Sequence, residues 1–151
     1  MRYLILLLLP IALLLYIRLS PMTADRWHVD PLVAERPTTP NAYLLRDDGG
    51  DAPALILQAS PARVAASLEQ MLETTPRVAR LAGSASQGWV TFVQRSRIMG
   101  YPDAISIRLT PVGDGTRVDI FSRSRFGYGD GGVNAARVAR WLTRLEAALG
   151  T

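Results

Sequence analysis

The chain has no cysteine and a single histidine, His28, in 151 residues. The first absence excludes disulfides, thiolate catalysis, thiolate zinc sites and a lipoprotein cysteine. The second leaves no basis for a histidine metal cluster or a Ser-His triad, so no metal or cofactor is expected. Without cysteine the sequence is also silent on the redox state of its compartment. Lysine is missing too, and all 17 basic residues are arginine. Each positive group is therefore a planar guanidinium suited to bidentate anion recognition, although codon bias in a GC-rich genome would give the same composition.

The length allows one domain with a modest core. Charge is unevenly distributed. Residues 19–60 carry three arginines against six acids, and residues 61–151 carry twelve against seven. Nucleic acid is not expected as a partner, because the net charge after residue 18 is only +2 (15 arginines less 13 acids).

Hydrophobic length is concentrated in residues 3–17, which are apolar or aromatic and lie between Arg2 and Arg18. They span roughly 22 Å as a helix, short of the ~30 Å hydrocarbon core. Snorkelling by Arg18 and the following residues can complete the crossing. Ser20, Met22 and Ala24 make a poor cleavage site. Residues 1–20 are therefore expected to be an uncleaved signal anchor, a transmembrane helix in the inner (cytoplasmic) membrane with the domain facing the periplasm or exterior. Secretion after cleavage is the alternative. Residues 21–40 contain Pro21, Pro31, Pro37 and Pro40 and read as a linker. Trp27 is expected at the headgroup level, and His28 on polar surface.

Residues 41–151 read as one domain. Short apolar runs at 41–46 and 54–59 are candidate strands, and Asp47, Asp48 and Asp51 between them read as a solvated turn. Ser60-Pro61 opens a helix, with Val64, Leu68, Met71 and Leu72 on one face. Residues 77–82, 89–98, 105–110 and 117–121 read as strands, the last two joined by a hairpin at Asp114-Gly115. The final helix, from about Asn134, buries Val138, Trp141, Leu142, Leu145 and Leu149, with Trp141 as its main contact to the sheet. Arg137, Arg140 and Arg144 run beside that stripe as a solvated face or a contact for lipid phosphates. The fold class is α+β: an antiparallel sheet of about four to six strands with two helices packed on one face, preceded by the transmembrane helix.

The segments R-S-R-I-M-G-Y-P-D at 95–103 and S-R-S-R-F-G-Y-G-D-G-G-V-N-A-A-R at 122–137 resemble a bacterial and plastid family known as domain of unknown function 1499. A weaker likeness extends to Pro76-Arg77 and to residues 27–31. The resemblance implies small secreted or membrane-anchored proteins and carries no established activity. By motif position it marks Arg95, Arg97, Asp103, Arg123, Arg125, Asp130 and Asn134. Gly131 departs from the pattern, where an apolar residue is usual, and makes the loop more flexible.

With Asp114-Gly115 as the turn, Leu109 is expected to face Ile120, Ile105 to face Ser124, and Phe92 to face Leu109. Arg95 and Arg97 then form one row and Arg123 and Arg125 another, separated by Ser106 and Ala104. Asp103, Asp119 and Asp130 are available as salt-bridge partners, but the surplus charge leaves room for an anion. The reading is a membrane-anchored envelope domain that binds an anionic ligand, a lipid headgroup or a phosphorylated small molecule, through Arg95, Arg97, Arg123, Arg125, Asp130 and Asn134, the last lending helix N-terminal donors. One alternative is a carboxylate-dependent enzyme using Asp103 or Asp130 as acid/base. The other is a structural or assembly factor of the envelope with no ligand.

Overall fold

The computed structural model describes residues 2–150, with side chains from residue 8 onward. Arg2 and the first apolar side chains of the expected anchor lie outside the described side chains. An apolar helix, α1 (Arg2–Leu19), leads into a one-turn helix, α2 (Ala24–Trp27). The domain follows as β1 (Ala42–Leu45), β2 (Leu55–Leu57), α3 (Pro61–Glu73), β3 (Val78–Ser84), β4 (Trp89–Arg95), β5 (Pro102–Val112), β6 (Gly115–Ser124) and α4 (Val133–Leu149). The six strands form one antiparallel sheet in the order β1-β6-β5-β4-β3, with β2 also paired to β6. Among the described residues no helix is long and apolar enough to cross a membrane.

Both longer domain helices pack on one face of the sheet. Ser60 caps α3 by accepting the Arg63 N–H at 3.4 Å, and Pro61 occupies the first helical position, where its missing N–H costs nothing. Val64, Leu68, Met71 and Leu72 then fall on one side and are buried. They meet Val138, Trp141, Leu145 and Leu149 of α4 over the inward-facing Val90, Phe92, Ile105, Ile107 and Ile120. Trp141 is 4% exposed at the centre of this layer. Its truncation to alanine is of the class that costs ~3–5 kcal/mol.

The opposite face is covered by the segment expected to be a linker. Trp27 and Ala34 are buried there, and Val29 and Ala34 pack on Ala42, Leu44 and Phe121. Trp27 is thus part of the protein interior rather than at a headgroup level. His28 also leaves the expected polar surface. Its ring stacks on Trp89 at 3.8 Å between centroids, and Nδ1 meets Thr91 Oγ1 at 2.8 Å. The prolines of this segment prevent long helices but not packing of an irregular chain on an apolar sheet face.

The hairpin register differs from the expected one by two residues. Val112 pairs with Gly115, so Gly113-Asp114 is the turn, with Leu109 opposite Val118, Ile107 opposite Ile120 and Ile105 opposite Ser122. Gly113 supplies the positive φ, +54°, that a hairpin turn asks of its first central residue. Gly115 serves a different need, because a Cβ there would lie 2.6 Å from the carbonyl oxygen of Leu57 on the neighbouring β2. The β4–β5 register moves by four residues, pairing Phe92 with Ile105 and Arg95 with Pro102. That connection is short, closed by the Ser96 N–H donating to the Tyr101 carbonyl at 2.9 Å. Both shifts are even, so side chains within the paired strands keep their expected face while their neighbours change. Arg97, expected opposite Ala104, falls beyond β4 in the turn and leaves the row.

Candidate functional site

Two polar clusters flank the end of the sheet from which α1 projects. The first lies on the helix-bearing face. The inward stripe of α4 begins not with apolar residues but with Asn134 and Arg137, which are 0% and 4% exposed. Helical spacing carries them over the end of the sheet, where the inward positions are also polar: Gln94, Asp103, Ser122 and Ser124. Arg137 donates to Asp103 Oδ2 at 2.5 Å, to Gln94 Oε1 at 2.7 Å, to Asn134 Oδ1 at 2.6 Å and to Ser122 Oγ at 3.1 Å. Asn134 Oδ1 also accepts from Ser122 Oγ at 2.6 Å, and its amide nitrogen donates to Ser124 Oγ, the Asn41 carbonyl and Asp130 Oδ2.

Asp130 completes this cluster from the loop. It accepts the Gly132 N–H at 2.9 Å and the Asn134 N–H at 2.8 Å, and so holds the first amides of α4. Partial burial raises its pKa, but the hydrogen bonds from Asn134 and Gly132 outweigh that and hold the carboxyl below the ordinary aspartate value. The carboxylate is committed to fixing the helix start.

The second cluster holds the arginines of the R-S-R motifs, on the other face and at the sheet end. None of them pairs with an acid among the described residues. Arg95 donates to the Ser20 carbonyl at 2.8 Å, the Gly100 carbonyl at 3.1 Å and the Ile17 carbonyl at 3.5 Å. Arg125 reaches the Pro21 carbonyl and lies over the Phe126 ring. Arg123, 6% exposed, donates to the Trp27 carbonyl at 2.5 Å, the Phe121 carbonyl and Ser106 Oγ, with its guanidinium 4.4 Å from the Phe121 ring centroid. Arg97 sits apart, exposed in the turn after β4. The expected salt-bridge partners are engaged elsewhere: Asp103 with Arg137, and Asp119 with Arg117 at 2.8 Å.

These guanidiniums bind the carbonyl end of α1 and the chain that follows it. A helix C-terminus carries partial negative charge on unpaired carbonyls, so cations are favourable there. Burial pulls the Arg123 pKa down to about 10. Burial and then the charge of Arg125 lower that of Arg95. Neutral carbonyl dipoles alone face most of the positive charge of this cluster.

A cavity of about 520 Å³ opens between α1 and the domain. Its walls include Leu13, Tyr16, Ile17, Tyr101, Phe126 and Val133, and Ser96, Asp103, Ser124 and Asp130 also line it. Tyr16 meets Phe126 edge-on at 6.0 Å. Asp103 and Asp130, the two acid/base candidates, are thus brought to one cavity, while Arg123 and Asn134 are enclosed. Arg137 is the residue that reading from sequence placed wrongly, on a solvated face. Its signal was available: Asn134 and Arg137 continue the Val138–Trp141–Leu145 spacing, and polar residues on a buried stripe require polar partners opposite.

Fold and site together define an α+β domain, with helices on one face of an antiparallel sheet and its own N-terminal helix gripped at the sheet end. The chain belongs to the family described as protein of unknown function DUF1499, which matches residues 32–145. No curated protein matches the sequence. Among solved structures, TTHA0849 from Thermus thermophilus aligns with 13% identity over 71% of this chain and 95% of its own, at a TM-score of 0.35, a likeness too slight to carry an argument.

Proposed function

We propose that this is a membrane-anchored envelope domain that sits on the bilayer surface and receives anionic lipid headgroups at the foot of α1. The observation that carries the reading is the surface of α1 and its surroundings. Leu8, Leu9, Ile11, Leu13, Leu15 and Leu19 are all at least half exposed, so apart from the side where Ile17 is buried against the domain the helix presents apolar side chains outward. A helix apolar all round needs lipid or protein around it.

The rim at its foot has the composition of an interface. Ile98 and Tyr128 are 79% and 76% exposed, in the loops on either side of the helix. Arg18 donates to the Ile98 carbonyl at 2.7 Å. Exposed Arg97 and half-buried Arg125 add positive charge among these apolar groups, as expected of a surface that meets phosphates and acyl chains together. The clamp supports retention of α1, because cleavage near Ala24 would strip Arg95 and Arg125 of the carbonyls at Ile17, Ser20 and Pro21. The cytoplasmic membrane, with the domain outside the cytoplasm, remains the assignment favoured by the flanking charges.

The test exploits the absence of cysteine. An Ile98→Cys variant of the full chain, labelled with an environment-sensitive fluorophore, is reconstituted in nanodiscs with and without phosphatidylglycerol. The label should shift to the blue, more strongly with anionic lipid and less as salt rises. Adding Arg97→Gln and Arg125→Gln should remove the difference between the lipids. A label that reports bulk water in both discs, or a chain washed from membranes by carbonate, overturns the reading.

A further inference from the structure

We propose that the cavity between α1 and the domain is a binding site for a lipophilic molecule with a neutral hydroxyl head, held by Asp103 and Ser124. This goes beyond the headgroup rim and does not depend on α1 crossing a bilayer, since the cavity needs only the helix end clamped by Arg95 and Arg125.

The site combines an apolar body with two free polar functions. Asp103 is 7% exposed, and only its Oδ2 is engaged, by Arg137. No donor among the described residues reaches Oδ1. The only sealed, unpartnered side-chain polar atoms among the described residues are the indole N–H groups of Trp27 and Trp89. Asp103 Oδ1 is therefore not sealed, and the cavity that Asp103 lines is where it opens. Ser124 lies directly across from Asp103 on the neighbouring strand and faces the same way, which sets their Cβ atoms ~4.5–5.5 Å apart. Its Oγ accepts from Asn134 Nδ2 at 3.0 Å, and its own hydrogen has no acceptor among the described residues. The floor thus offers one acceptor and one donor within reach of a single oxygen. A hydroxyl is the group that needs both.

Charge selects against the alternatives. A carboxylate or phosphate head would meet Asp103 and Asp130 at close range. An ammonium would find Asp103 already neutralised by Arg137, with Arg95 and Arg125 around the nearby end of α1. Above the floor, Tyr16, Tyr101 and Phe126 provide apolar wall, and about 520 Å³ is within the size of sites that enclose small ligands.

The experiment uses the full chain in phosphatidylcholine nanodiscs and three photoreactive probes: a diazirine-bearing dodecanol, its methyl ether and the matching dodecanoate. Cross-linked peptides are quantified by mass spectrometry. The alcohol should label the peptides carrying Tyr101 and Phe126 at least ten-fold above either other probe. Val133→Trp, at an exposed first position of α4 on the cavity wall, should block that labelling with the melting midpoint unchanged. Ser124→Ala should reduce it several-fold. Equal labelling by alcohol and ether shows that the floor reads no hydroxyl and overturns the proposal. Preference for dodecanoate, or labelling indifferent to Val133→Trp, overturns it as well. The headgroup reading is judged separately, by the Ile98 label.

Discussion

Two polar clusters, one around a single arginine and one around three, meet at the end of this sheet, and they are built on opposite principles. On the helix-bearing face Arg137 is buried against a carboxylate, two amide oxygens and a hydroxyl. On the other face and at the sheet end Arg95, Arg123 and Arg125 are held almost wholly by main-chain carbonyls. The first arrangement compensates charge with charge and closes into a network through Asn134 to Asp130. The second leaves the charge unneutralised and uses its donors to fasten one part of the chain to another. The first therefore fixes a cavity floor and a helix start, and the second determines where α1 leaves the domain. Arginine in a strand has no single meaning, and its role follows from which polar atoms the other layer can present.

The comparison is broken most severely by removing the carboxylate. Asp103→Ala leaves Arg137 buried without its counter-charge, and urea unfolding should show a loss of ~3–5 kcal/mol. The double variant Asp103→Leu with Arg137→Met should recover much of that loss. If the single variant is nearly neutral, the pair is not the central element of the network.

A smaller effect is expected across the sheet. Arg123→Met takes the donor away from the Trp27 and Phe121 carbonyls, while Ser106 Oγ keeps Thr91 as a partner, a class of loss of ~1–3 kcal/mol. It also relieves the burial of an uncompensated charge, so its measured cost should fall below that of Asp103→Ala. The reverse order would mean that the carbonyl-bound arginine is the more critical of the two.

Asp130→Ala sharpens the comparison at the helix start. Loss of this capping carboxylate should cost ~0.5–2 kcal/mol. Because the folded-state pKa of Asp130 is lowered, its contribution is present above the unfolded aspartate pKa, near ~3.9. It is lost as pH falls through the lower folded value. The acid limb of the melting curve of the variant should accordingly be less steep than that of the parent.

The smallest effect concerns His28, at the end of the Thr91–Ser106–Arg123 chain of polar groups. Burial lowers its pKa most, Asp30 opposes that, and Arg123 lowers it further. The unfolded state then binds the proton more tightly. Stability is full above ~6.5 and declines as pH falls through the folded value. Thermal melts between neutral and mildly acidic pH should show a small fall in midpoint that His28→Phe removes. An unchanged slope in the variant would assign the fall to the carboxylates instead.

Periodicity by itself determined much of this protein. The alternation of Ile105, Ile107 and Leu109, and the spacing of Val64 to Leu72 and of Val138 to Leu149, specified an antiparallel sheet with two helices on one face. These are local consequences of side-chain geometry, and they survive an error in register as long as the error is even. The two R-S-R motifs and the Asp130 loop were likewise legible as unusual polar text near the sheet end. What periodicity does not contain is the identity of the partner across each gap. Both Asp114-Gly115 and Gly113-Asp114 are acceptable turns by residue type. The close approach of the Leu57 carbonyl to Gly115, between residues far apart in the chain, is a demand on glycine that no local pattern announces. Whether Arg123 would meet an anion, an acid or a carbonyl depended on how the irregular segment around Trp27 lies on the sheet. That Arg137 is buried depended on the polar inward positions of Asp103 and Ser122 beneath it. Local pattern decides which face a residue occupies, and only the packing of distant segments decides what that face meets, because hydrogen bonds and charges respond to distances that periodicity does not specify.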